Sequence, residues 1–387
     1  MFSNNRGEKM KGIYLDYAAT TPVHPDVIQA MQPYSNISFG NPSSVHQLGI
    51  NNKKIINESR RTIANCLNVL QEEIYFTSGG TEASNWAIKG YASAHPEKKE
   101  IIISQIEHHA TLHSCQFLEK MGYKIHYIPV DKKGFINLKK FESVMNENTL
   151  MASIIWANNE IGTIQDIKAI SERCKKHDVV LHVDAVQVFG QISIDLSLYA
   201  IDMVSLSAHK FYGPKGIGCL YIKKGLVIDP LIHGGSQEQE KRSGTENISG
   251  IVGMAKAAEI ASQKQQLYYE KMNYLTTRLY QRLLQDFDCL LNGPEIGGSR
   301  LPSNLNVSFR DIIGTQLSYW LDQNDVYVST GSACNASSIE PSHVLKAIKV
   351  PDEFIKGTIR FSLGSEFLES DIPRVIARLK DGIDSIS

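Results

Sequence analysis

Between Glu73 and Ile222 the chain alternates short apolar runs with longer stretches of helical spacing. The runs are Ile74–Thr77, Ile101–Ser104, Met151–Ala157, Val179–Asp184, Met203–Ser207 and Gly218–Ile222, each of strand length and rich in β-branched residues. Their apolarity is nearly continuous rather than alternating, which is the pattern of strands buried on both faces of a parallel sheet. Between them, Thr81–Gly90, Thr111–Met121 and Ile167–His177 have helix length. Strand–helix alternation predicts an α/β fold with helices on both faces of the sheet. Ligands of such sheets sit beyond the carboxyl ends of the strands, so those ends are where chemistry is expected.

Beyond Gly250 the rhythm changes. Ala255–Asp286 reads as one long helix, with Leu275, Leu279 and Leu283 on a single stripe. A short strand at Asn304–Phe309 and a Gly/Ser-rich stretch at Thr330–Ser338 follow. Met1–Asn36 stands outside the alternation and is expected to pack with this C-terminal part. The 387 residues are enough for two cores, since a domain usually takes about 100–200 residues. A large domain and a smaller one built from both chain ends is the expected organisation.

Composition narrows the class of partner. A net charge of −1 gives no overall field toward nucleic acid or an anionic membrane. The six cysteines are scattered, with no C-x-x-C pair and no metal-ligand spacing. A disulfide framework is therefore not expected, and the setting reads as reducing and cytoplasmic. Met1–Gly12 is polar, lacks an apolar core and is not read as a signal peptide; Met10 is an alternative start. No apolar run approaches the roughly 18 residues of a membrane span.

Five strand ends carry candidate chemistry. Thr77-Ser78-Gly79-Gly80-Thr81-Glu82 joins a strand to a helix; its glycines let backbone approach an anion, and Thr81 adds a hydroxyl. Ser207-Ala208-His209-Lys210 places a lysine just past a buried strand, where partial burial would free its lone pair to bond an aldehyde. An outward-turning loop lysine is the plain alternative. Asp184 closes another apolar strand, 26 residues before Lys210. It suits either a helix N-cap or the carboxylate that keeps a pyridine nitrogen protonated. Glu107-His108-His109 offers an imidazole to stack on a flat ring or move protons, and Asn158-Asn159-Glu160 offers amide donors. An anion cup, an Asp, a Lys and a His at successive strand ends together describe one cofactor, pyridoxal 5'-phosphate (PLP).

With these motifs in place the sequence resembles the NifS/IscS-type cysteine desulfurases of the class V aminotransferase group. The resemblance runs from Tyr14-Leu15-Asp16-Tyr17-Ala18-Ala19-Thr20-Thr21-Pro22 through Gly40-Asn41-Pro42-Ser43-Ser44 and the strand-end motifs. It continues through Arg242-Ser243-Gly244-Thr245 and Gly331-Ser332-Ala333-Cys334 to Ile359-Arg360-Phe361-Ser362-Leu363-Gly364. It implies a fold type I PLP-dependent transferase, with a mostly parallel seven-stranded sheet in a large domain over residues 15–260. A smaller α+β domain is implied over residues 1–14 and 261–387, carrying a mobile catalytic loop at about 329–341.

The roles implied are these. Lys210 holds the cofactor, Asp184 pairs with its ring nitrogen, and Gln187 and Asn159 sit near its phenolic oxygen. His108 stacks on the ring and helps move protons, while Gly80, Thr81, Ser207 and His209 hold the phosphate. Thr245 reaches the phosphate of a neighbouring subunit, which implies a homodimer. Arg360, with Asn159, takes the substrate carboxylate. Cys334 is the nucleophile that accepts sulfur from L-cysteine, leaving L-alanine and an enzyme persulfide. Its loop resembles the longer one of the IscS/NifS branch, suited to deliver sulfur to an acceptor protein. The acceptor is left open among iron–sulfur cluster assembly, tRNA thiolation and phosphorothioate modification of DNA. A selenocysteine lyase or another PLP lyase or aminotransferase on this fold is the alternative enzyme, and a non-catalytic docking subunit the alternative of another class.

Overall fold

The computed structural model describes residues 12–330 and 341–386. Its strands are β1 (Ile13–Tyr14), β2 (Ile74–Thr77), β3 (Glu100–Ser104), β4 (Lys124–Ile128), β5 (Thr149–Ile155) and β6 (Val180–Asp184), then β7 (Met203–Ser207), β8 (Gly218–Ile222), β9 (Cys289–Leu291), β10 (Asn304–Phe309), β11 (Val326–Tyr327) and β12 (Thr358–Ser362). Seven of them form one sheet in the order β2-β8-β7-β6-β5-β3-β4. Pairing from β7 through β4 is parallel, and β8 runs antiparallel to both of its neighbours. Each of the six apolar runs of the alternation forms a strand of this sheet, with ends shifted by no more than two residues.

The continuous apolarity of those runs has a direct cause. Ile102 of β3 enters one buried cluster with Ala152, Ile154, Leu181 and Val204, whereas Ile101 and Ile103 enter another with Met151 and Met203. Both faces of the sheet are therefore dry. The seventh strand, β4, is not among the expected runs. It lies at the sheet edge with Lys124 and Tyr127 exposed and only Ile125 and Ile128 buried, so no continuous apolar run marks it.

A second core surrounds the three-stranded antiparallel sheet β12-β10-β9 and the parallel pair β1–β11. The helix Ile372–Ile386 buries Ile372, Val375, Ile376 and Leu379 there, an i, i+3, i+4, i+7 stripe. The long helix starts earlier than expected, running Ile248–Asp286. Asn247 caps it, its side-chain oxygen accepting from Gly250 N–H at 3.0 Å. Its first half places Ile251, Met254 and Ala258 in the core of the large sheet, and its second half places Met272, Leu275, Leu279 and Leu283 in the second core. The helix Gln47–Leu67 packs along it. The N-terminal segment divides as well: Leu15 lies in the second core and Val27 in the first. Among the described residues no helix is long and apolar enough to cross a membrane.

Candidate active site

Beyond the carboxyl ends of β2, β3, β5, β6 and β7 lies a cavity of about 230 Å³. Gly80, Thr81, His108, Asn159, Asp184, Gln187, Ser207, His209 and Lys210 line it, together with Ala110, Ile155 and Val186. The five strands each deliver at least one of these side chains, because β3, β5, β6 and β7 run parallel and β2, antiparallel to the β8 that is itself antiparallel to β7, points the same way.

Gly80 opens the helix Gly80–Asn85. A Cβ there would stand 2.7 Å from Val186 Cγ2, so only glycine fits beside β6 and β7. Lys210 follows β7 within a short 3-10 turn, and its Nζ donates to the carbonyls of Ala18 at 2.6 Å and Ala19 at 2.8 Å. Gln187 Nε2 donates to the same Ala18 oxygen at 2.9 Å. The N-terminal Ala18–Thr21 segment is thus held against Lys210, Gln187 and His209; Thr21 N–H and Oγ1 both donate to His209 O.

Burial governs the ionisable groups. The Asp184 carboxyl is pushed up to about 6 by desolvation, partly offset by the Val186 N–H it accepts and by the Lys210 charge. His108 is pushed down to about 4 by burial first and the Lys210 charge second, so it is neutral near pH 7. Its Nδ1 accepts from Ala110 N–H at 3.1 Å. That contact fixes the tautomer with hydrogen on Nε2, so the resting ring offers a donor. His209 is likewise pushed down to about 4, and its Nδ1 sits 3.2 Å from Thr20 Oγ1.

Arg360 and Thr245 are not part of this lining. Arg360 is buried on β12 at 2% exposure. Its Nη1 donates to Asn159 O at 3.0 Å and its Nη2 to Asp16 Oδ1 at 2.7 Å, while its buried Nε has no hydrogen-bond partner among the described residues. It therefore touches the cavity wall through Asn159. Thr245 is exposed, in the segment that leads to the long helix. Cys334 lies outside the described residues.

Sequence reasoning passed over three further groups. Glu107, next to His108, is pushed up to about 8 by burial. Its Oε1 accepts from Ser104 Oγ at 2.5 Å and from Ile155 N–H at 3.0 Å, and Oε2 has no hydrogen-bond partner among the described residues. Ile155 pairs with Asp184 across β5 and β6, so the two acids are neighbours. Glu160 is pushed up to about 7 by burial and lies near Arg360. His182 is pushed down to about 3 by burial and joins Ser153 to Ser205, with 2.8 Å contacts on both ring nitrogens. A histidine inside the otherwise apolar run Val179–Asp184 was the available signal for this last chain.

The fold and cavity define an α/β protein with a lysine, an acid and an anion cup converging at parallel strand ends. The class-V aminotransferase family model matches residues 13–375. The cysteine desulfurase IscS of Methanosarcina thermophila is 48% identical over 373 residues, covering 96% of this chain and 92% of that protein. The same-named protein of Clostridium botulinum strain Hall is 47% identical, covering 95% and 93%. Among solved structures, a NifS-like protein superposes with a TM-score of 0.91 at 38% identity, over 97% of this chain and all of that one. SspA in complex with cysteine superposes with a TM-score of 0.80 at 36% identity, over 91% and 98%. The chain belongs to the class-V aminotransferase family, in its cysteine desulfurase branch.

Proposed function

We propose that this chain is a PLP-dependent cysteine desulfurase that converts L-cysteine to L-alanine and leaves the sulfur as a persulfide on Cys334. The observation that carries the reading is the convergence of Lys210, Asp184, His108 and the Gly80–Thr81 turn around one cavity. These groups fit PLP. An anion cup suits its phosphate, and a buried carboxyl raised by desolvation suits a protonated ring nitrogen, since ion pairing would restore its charged form. Gln187 and Asn159 are the donors for the phenolic oxygen, and Ser207 and His209 complete the phosphate end with Gly80 and Thr81. When bound, PLP supplies the electron sink for charge developing at the substrate α-carbon.

The chain's own residues do the rest. Lys210 holds the cofactor and then moves the α-proton, which falls to its amine because His108 rests as a donor. Arg360 takes the substrate carboxylate and Asn159 orients it. The Cys334 thiolate attacks the substrate sulfur, forming an S–S bond as the C–S bond breaks, and an acceptor protein then takes the persulfide sulfur. L-cysteine as substrate is supported by the likeness to SspA in complex with cysteine. A homodimer is supported by Ile37, Phe39, Val45, Leu48 and Ile50, all exposed along one segment, with Val45 at 92%. Exposed Thr245 suits the neighbouring subunit's phosphate end.

The test is a visible absorbance band that borohydride bleaches and that Lys210→Ala lacks, together with alanine release from L-cysteine. A colourless protein that releases no alanine would sink the reading and favour a docking subunit.

A further inference from the structure

Four charged residues beside the anion cup have no part in the reading above: Arg60, Glu82, Glu238 and Arg242. β2 is an outer strand of the seven-stranded sheet, so alternate backbone groups on its far side lack a strand to pair with. Arg60 and Glu238 complete that edge. Arg60 Nη1 donates to Ile74 O, and Phe76 N–H donates to Glu238 Oε2 at 2.8 Å. The two side chains are both buried and pair through two contacts of 2.7 Å. The Arg60 guanidinium also lies 4.8 Å from the centroid of the Phe76 ring.

From this anchor the chain makes a left-handed turn. Glu238, Gln239 and Glu240 have φ of 45°, 58° and 66°, a conformation that L-residues avoid and that needs outside support. Beyond the turn, Arg242 Nε and Nη2 reach the two Glu82 oxygens at 2.8 and 3.1 Å. Glu82 Oε2 in turn accepts from Ser78 N–H at 2.7 Å. Ser78 begins the Ser78-Gly79-Gly80 turn that forms the cavity's anion end.

We propose that the segment 238–242 is a positioning strap for the anion-binding turn. Glu238 fixes the strap to the free edge of β2, and Arg242 acts through Glu82 to hold Ser78 and hence Gly80 and Thr81 in place. The proposal rests on the reading that this end of the cavity takes a phosphate, and it names the residues that tune that grip. A plain edge cover would affect stability alone. A strap affects how well the site distinguishes a phosphorylated ligand from the same ligand without its phosphate.

The experiment strips the full-length protein of cofactor and titrates it with PLP and with pyridoxal, following absorbance, in wild type and in Glu82→Gln, Glu238→Gln and the double variant. Outer contacts of binding sites change affinity on the order of 10–100-fold in well-studied metal centres. Glu82→Gln is expected to weaken PLP about ten-fold in the same sense while leaving pyridoxal unchanged. The double variant is expected to lose no more than the worse single one, because both act along one path. An unchanged PLP-to-pyridoxal ratio in Glu82→Gln overturns the strap. Should Glu238→Gln fail to fold, Glu82→Gln decides alone. A wild-type protein with no preference for PLP over pyridoxal would overturn the phosphate reading itself, and the strap with it.

Discussion

Glu107 and Asp184 share one dry region at the ends of β3 and β6, which flank β5, and water exclusion raises both carboxyls. For Glu107 the folded value of about 8 stands above the ordinary 4.5. The folded chain thus binds more protons than the unfolded chain between those values, and this contribution to stability is whole below pH 4.5 and lost as pH rises through 8. Glu107→Gln, which keeps the shape of the neutral acid, is expected to flatten the fall of Tm between pH 5 and 8 relative to wild type; an unchanged slope would show that Glu107 is already ionised. Arg360 is tested by conservative replacement. Arg360→Lys keeps the charge but loses the planar fork, and a hydrogen bond to a charged group is worth about 1.5–3 kcal/mol. KM for L-cysteine is accordingly expected to rise about ten- to hundred-fold.

Nine of the residues singled out in the sequence meet at one cavity. They were legible because each closes an apolar run or comes within a few residues after one, and the sheet brings such positions together whatever their separation along the chain. Glu107 was hidden, since a single carboxyl beside a histidine gives no sign of burial. The Arg360–Asp16 pair spans 344 residues, and no local pattern announces a contact of that range.

At the scale of elements, the legible strands are those buried on both faces. β4 buries only Ile125 and Ile128 at the sheet edge and so carries no continuous apolar run. The helix that begins at Gly80 is tied to β6 and β7 by the close approach of Gly80 to Val186 and Ser207. Gly80→Ala would press a methyl against Val186 Cγ2 at 2.7 Å. Overpacking of this kind typically costs about 1–3 kcal/mol. PLP affinity is expected to fall by about ten-fold or more by that measure, seen by titration of the cofactor-free variant. Affinity equal to wild type would mean that the turn has slack. The long helix Ile248–Asp286 started earlier than its apolar stripe suggests because Ile251, Met254 and Ala258 pack beneath the large sheet rather than in register with Leu275 and Leu279.

On the scale of the whole molecule, the exposed apolar segment around Phe39 and Val45 and the outward Thr245 belong to one expectation. Replacing Val45 by Asp places a charge where a partner surface would exclude water. The variant is expected to run as a monomer by sedimentation and to hold PLP more weakly, as Thr245 loses its neighbour. A Val45→Asp protein that stays dimeric, or a wild type that is monomeric, contradicts that assembly.

The central claim is that sulfur leaves L-cysteine through Cys334 in a PLP site built on Lys210. The most direct measurement incubates wild type and Cys334→Ala with L-cysteine, quantifies released alanine and weighs the intact protein. Wild type should release alanine and gain the mass of one sulfur atom, whereas Cys334→Ala should keep its borohydride-sensitive absorbance band, release almost no alanine and gain no sulfur. Alanine release by Cys334→Ala at the wild-type rate would contradict the account.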